Sequence, residues 1–166
     1  QFQDPGFNTF NEFFIREFKE GQREFNPSDA VFSAGAEARY LAVEDIKLDT
    51  TFPVKGIRIY LPELFGDSAL AEEFVGGTIL IARLCPVDYH RFHFPVSGEI
   101  LDTKTIHGSY FSVNPIALSV KPDILFKNER QMDLADYTAP NTLGKLTRSL
   151  RHWHCCFFHF YHSFIC

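Results

Sequence analysis

Hydrophobic and polar positions along the chain change rhythm near residue 31. Before it, Phe7, Phe10, Phe14 and Phe18 recur at three- and four-residue spacing, which predicts an amphipathic helix with one aromatic face. Thr9 followed by Glu12 fits a capping box at its start, and Lys19 and Gly21 suit its end. After Val31 the apolar stretches are short and separated by turn residues. They predict strands at Ala38–Val43, Gly56–Tyr60, Thr78–Leu84, Gly98–Leu101, Tyr110–Val113 and Ala117–Val120. Leu61–Phe65, with Pro62 in its first turn and Gly66 behind it, reads as a second short helix. Strands this short, without long helices between them, predict an α+β fold, mainly antiparallel β with an N-terminal amphipathic helix. The aromatic face of that helix suits either the protein's own core or a lipid surface; its short length and mixed-charge polar side favour the core.

Composition sharpens the picture without changing it. The 166 residues suffice for one domain with a real core, and 45% hydrophobic with 22% charged residues describes a globular chain rather than a disordered one. A formal net charge of −5 gives nucleic acid no electrostatic attraction, so no nucleic-acid partner is expected. The N-terminus shows no signal peptide, and without an initiator Met the sequence is expected to begin inside a longer protein. Three of the four cysteines, Cys155, Cys156 and Cys166, fall in the last dozen residues, which is neither a disulfide framework nor a zinc pattern. The tail from Arg151 holds four of the seven histidines and the only tryptophan, with no clean helical or strand period.

Candidate chemistry concentrates in Arg83-Leu84-Cys85-Pro86-Val87-Asp88-Tyr89-His90-Arg91-Phe92-His93-Phe94-Pro95. His90 and His93 titrate near neutral pH and suit general-base work, and Asp88 could orient either ring. The same three side chains also suit a metal ion, and half-buried structural roles compete with both readings.

This stretch strongly resembles the histidine signature of phosphatidylserine decarboxylases. Four further blocks follow the family in order: Phe10-Asn11-Glu12-Phe13-Phe14 with Arg16, Phe18 and Lys19; Val54-Lys55-Gly56 with Tyr60-Leu61 and Leu64-Phe65-Gly66; His107-Gly108 with Tyr110-Phe111, Val113-Asn114-Pro115; and Leu125-Phe126 with Asn128-Glu129-Arg130. The resemblance implies a carboxy-lyase that converts phosphatidylserine to phosphatidylethanolamine with release of CO2. It implies a pyruvoyl group made by self-cleavage at a Gly-Ser step, whose ketone serves as electron sink. It maps the histidine of the cleavage triad onto His93 and a second family histidine, of decarboxylation or pocket, onto His90.

Two departures stand out. The triad aspartate belongs to a Ser-Pro-Ala-Asp motif, and the matching residues here are Ser33-Ala34-Gly35-Ala36-Glu37, which leaves Glu37 as the replacement carboxylate. The resemblance ends after Leu143-Gly144-Lys145, before any family Gly-Ser site; Gly108-Ser109 lies in another block and should be a turn. Residues 1–145 are therefore expected to form a C-terminally incomplete decarboxylase-like domain, which cannot form the pyruvoyl group alone and is inactive by itself. Residues 146–166 are expected to be aberrant, from a frame slip or an unspliced intron; reading one base later across Trp153-His154 forces a glycine. A metal site from His152, His154, Cys155 and Cys156 is the weaker account, because adjacent cysteines rarely share one tetrahedral ion. The partners implied are phosphatidylserine or another amine-bearing substrate, a membrane surface, the small C-terminal chain and a second copy in a homodimer. The location implied is intracellular and peripheral to a membrane. The alternatives are decarboxylation of a soluble amino acid and a non-catalytic lipid-binding relative. A lipoyl- or biotin-type carrier hairpin using Lys104 is a remote fourth reading.

Overall fold

Thr9 does cap a helix, and that helix is short. In the computed structural model its hydroxyl accepts the Glu12 N–H at 3.1 Å, and the Glu12 carboxylate reaches back to the N–H of Thr9 at 3.3 Å. Helix α1 covers only Phe10–Phe14 and buries none of its residues. The expected continuation to Phe18 fails: Phe18 lies beyond the end, bridged to Phe2 with the two rings stacked at 4.8 Å. The structure describes residues 1–24, 26, 28, 31–50, 60–85, 87–95, 97–112, 115–121, 124–137, 153–160 and 163–165.

Beyond α1 the described elements are β1 (Arg39–Val43), α2 (Leu61–Phe65), α3 (Ser68–Glu73), β2 (Ile79–Arg83), β3 (Glu99–Ile106), α4 (Pro115–Val120), α5 (Ile124–Lys127), β4 (Arg130–Tyr137), β5 (Trp153–Phe160) and β6 (Ser163–Ile165). The strands form one sheet in the order β1-β2-β6-β5-β4-β3, and every neighbouring pair is antiparallel. The fold thus mixes short helices with antiparallel strands, as the rhythm of the sequence predicts.

Several boundaries differ from expectation. Ala117–Val120, expected as a strand, is the body of α4; a four-residue stretch with three apolar residues does not distinguish the two, and Pro115 at the helix start suits the helix. Tyr110–Ser112 are irregular rather than extended in a ladder, while Val113 and residues 56–59 lie outside the described residues. β3 runs five residues past Leu101, with a register shift between Ile100 and Asp102. The tail, whose sequence has no clean helical or strand period, supplies β5 and β6 in the middle of the sheet.

Consecutive residues of a strand face opposite sides, so Ile81 and Ala82 divide the core in two. On one side Ile79, Ile81 and Met132 pack with Leu61, Leu64, Phe65, Ala71 and Ile124 of the helices. Leu61 and Leu64 are fully buried, and each such side chain contributes about 1.5–3 kcal/mol. Arg130 is buried under this layer and donates to the carbonyls of Leu64 at 2.9 Å and Glu63 at 2.8 Å, closing the C-terminal end of α2. The other side is smaller: Ala82, Leu84 and Ala135 meet Ala36, with Ala38, Phe92 and Phe94 against them. That smaller layer holds up the histidine-bearing stretch.

Candidate functional site around His93

The chain leaves β2 at Leu84 and turns at once. The Asp88 carboxylate accepts the Cys85 N–H at 2.6 Å, and the Cys85 carbonyl accepts the Asp88 N–H at 2.9 Å. His90 Nε2 stands 2.8 Å from the same carbonyl. A carbonyl only accepts, so this ring nitrogen carries a proton.

The N-terminal residues clamp this turn from outside. Phe14 stacks on the His90 ring at 3.8 Å, and Phe18 lies 4.2 Å from the Tyr89 ring. Buried Arg16 donates to the carbonyls of Val87 at 2.8 Å and Asp88 at 3.1 Å while covering the Phe2 and Phe13 rings. Arg91 answers in the other direction, donating to the Ile15 carbonyl at 2.7 Å and pairing with Glu17 at 2.9 Å. Aromatic spacing in the first twenty residues therefore serves the histidine turn rather than one long helix.

His93 is held through its backbone and its ring. Its N–H donates to the Gly35 carbonyl at 2.7 Å, and Ser33 donates to Pro95 at 3.0 Å, so residues 33–37 lie directly alongside. A Cβ on Gly35 would stand 2.8 Å from the His93 carbonyl oxygen, which leaves room only for glycine. The ring is stacked on Tyr89, 5.6 Å between centroids and 10° between planes, with Nε2 at 3.1 Å from the tyrosine hydroxyl. Burial, and then the Arg91 charge, lower the His93 pKa below 6.5, so the ring is neutral at pH 7. Burial raises the Tyr89 pKa; Arg91 opposes this, and Glu17 and Glu37 add to it. The phenol is therefore protonated throughout the physiological range.

The structure thus brings His90, His93 and the Ser33–Glu37 stretch into one neighbourhood. It gives the Glu37 carboxylate another partner, however: Arg23 holds it through Nε at 2.7 Å and Nη2 at 2.6 Å. The metal reading of Asp88, His90 and His93 gains no support, since Asp88 and His90 both turn to the Cys85 backbone and His93 turns to Tyr89. Among the described residues no group of three or more His, Cys, Asp or Glu is placed to hold a metal ion. His152 and Lys145 lie outside the described residues. Lys104 sits within β3 opposite Met132, far from the hairpin tip a carrier lysine needs.

Gly108-Ser109 is structural. Ser109 donates to the Lys127 carbonyl at 2.7 Å and accepts from the Glu129 N–H at 3.0 Å, forming a bridge to Asn128. A Cβ on Gly108 would fall 2.4 Å from the Lys127 carbonyl oxygen. Asn128 completes the dock by pairing both its amide groups with the Phe111 backbone, at 2.8 and 2.9 Å.

Sequence reasoning had not singled out Tyr89, Gly35, Arg16 and Arg91 for these parts. Gly35 carried a usable signal, a glycine beside a candidate carboxylate; Tyr89 carried none, because its contact depends on the irregular path to His93.

A phosphatidylserine decarboxylase family profile matches residues 10–143. Among similar proteins, the phosphatidylserine decarboxylase proenzyme of Ruminiclostridium cellulolyticum is 44% identical over 128 residues, covering 77% of this chain and 43% of the relative. The proenzyme of the same name from Clostridium perfringens is 43% identical over 135 residues, covering 81% and 45%. That of Fusobacterium nucleatum is 43% identical over 123 residues, covering 74% and 41%. The chain spans less than half the length of these relatives. With the histidine signature inside the matched region, the chain belongs to the phosphatidylserine decarboxylase family.

Proposed function

We propose that this chain is the larger part of a phosphatidylserine decarboxylase, with His93 as the base for self-cleavage and His90 as a pocket residue. The observation that carries the reading is the state of His93: a neutral, partly desolvated imidazole whose backbone and ring are both fixed. A base needs an available lone pair at working pH and a fixed direction, and this ring meets both needs. The pyruvoyl group expected of the family would supply an electron sink for loss of CO2 from an amine-bearing lipid, and it would not arise at Ser109. His90, with its Nε2 proton on the Cys85 carbonyl and Phe14 over its ring, would line the pocket. The cleaved small chain, a second copy and a membrane surface are the partners this reading expects. Phe10, Phe13 and Ile15 are exposed around α1 and would make the lipid contact from outside the bilayer. No helix among the described residues is long and apolar enough to cross a membrane.

The engagement of Glu37 by Arg23 favours one competing reading, a relative that keeps the fold and binds lipid without processing. One experiment separates them. The full-length protein and its His93→Ala variant are expressed, and cleavage is followed on a gel while CO2 release is measured from phosphatidylserine and from free serine. The expected result is cleavage and lipid decarboxylation in the parent, with both lost in the variant. An uncleaved parent that binds vesicles equally well with and without His93 supports the non-catalytic reading, and release from free serine alone moves the substrate to a soluble amino acid.

A further inference from the structure

We propose that Arg16 is the positioning residue for His90, and that it serves the decarboxylation step rather than self-cleavage. The inference rests on the reading of His93 as the base of self-cleavage and His90 as a residue of the pocket. The stretch that bears the two histidines is gripped at its two ends by different parts of the chain, and Arg16 belongs to the first of them.

At the His90 end the grip comes from the N-terminal residues. Arg16 is buried, and its guanidinium lies 4.3 Å from the centre of the Phe2 ring and 4.6 Å from that of Phe13. Its Nη1 donates to the Phe13 carbonyl at 3.2 Å, while Nη2 donates across to the carbonyls of Val87 at 2.8 Å and Asp88 at 3.1 Å. A planar fork held between two rings fixes the direction of such bonds, which a flexible ammonium does not. Asp88 passes the constraint on. Its carboxylate accepts from the Cys85 N–H, its own N–H donates to the Cys85 carbonyl, and His90 Nε2 meets that same carbonyl at 2.8 Å. Phe14, two residues before Arg16, stacks on the His90 ring. His90 is thus set by its ring face and by its turn, both from one short segment.

At the His93 end the grip comes from elsewhere. The His93 N–H donates to the Gly35 carbonyl at 2.7 Å, and the Ser33 N–H donates to Pro95 at 3.0 Å. Phe92 and Phe94, on either side of His93, pack on the layer of Ala36, Ala82, Leu84 and Ala135. Loosening Arg16 therefore shifts His90 while these bonds still hold the His93 backbone, and a displaced pocket group slows the chemistry it serves.

The two steps are read separately on the full-length protein: self-cleavage on a gel, and CO2 release from phosphatidylserine vesicles per cleaved molecule. Arg16→Met is expected to cleave within about threefold of the parent, while kcat for CO2 release falls about thirtyfold with KM within about twofold. Arg16→Lys, which keeps the charge and loses the fork, is expected to recover part of the lost kcat. Circular dichroism identifies a variant that does not fold; should Arg16→Met be one, Arg16→Lys carries the same comparison of the two steps. Equal losses in cleavage and decarboxylation, or an unchanged kcat, in a folded variant overturn the assignment to Arg16. Undiminished cleavage in His93→Ala, or undiminished CO2 release in His90→Ala, overturns the underlying reading instead.

Discussion

His93 and His107 each stand beside a tyrosine, with a glutamate and an arginine close by, yet the two clusters are built for different ends. His93 is partly buried, its ring parallel to Tyr89 and its backbone bonded to Gly35. His107 has 86% of its side chain exposed and lies 3.4 Å from Glu129, which also accepts from the Tyr110 hydroxyl. Around His107 the buried polar work is done by its neighbours: Asn128 on the Phe111 backbone and Arg130 on the end of α2. The lesson is that residue type selects neither role. Desolvation of the ring and an independent hold on the backbone suit His93 to the base proposed for it; the same side chains in water, around a buried amide and guanidinium, make a clip.

The comparison breaks most visibly at Arg130. Replacing it by Met should cost about 3 kcal/mol, because the carbonyls of Leu64 and Glu63 lose a charged donor in a buried place. A fall in Tm well short of that would mean that the second cluster is not an anchor. Next comes Gly35→Ala, which forces the added carbon against the His93 carbonyl and should cost about 1–3 kcal/mol in urea unfolding. The same change should slow self-cleavage, whereas His107→Ala should leave the rate within about twofold, as expected for an exposed surface group.

Titration sharpens the contrast further. The folded state resists protonation of His93, so stability should be level above pH 6.5 and fall as the pH drops through that value toward the lower folded pKa. Glu129 loses stability in the same direction but for another reason and at lower pH: the Tyr110 bond, and after it His107, lower its pKa below 4.5. Its contribution is present above 4.5 and is lost as the pH falls through the lower folded value. Urea midpoints across this range should show two separate descents, the upper removed by His93→Phe and the lower by Tyr110→Phe. A single unchanged descent in both variants would contradict the assignment. The smallest effect belongs to Glu37→Gln, where an exposed ion pair with Arg23 should be worth less than about 1 kcal/mol in a thermal melt.

What could be read beforehand follows from how local each feature is. The Thr9 box and Leu61–Phe65 were legible because their determinants lie within five residues. Phe18 misled because three- and four-residue spacing also arises when one aromatic belongs to a helix and the next to a bridge. β4 went unread because its buried Asp133 and Arg130 look like surface residues until Thr103 and the α2 carbonyls supply their bonds. At the site, the histidines announced themselves by type and motif. The Tyr89 contact and the diversion of Glu37 to Arg23 did not, since both depend on where irregular segments come to rest.

The strand order has a consequence for synthesis. β1 with β2, and β3 with β4, can pair as soon as residues up to 137 have left the ribosome. The two pairs have no common border until β5 and β6 arrive and slot between β2 and β4. A nascent chain therefore carries two open sheet margins until residues 153–165 emerge, which is the interval in which a chaperone or a second nascent chain competes for them.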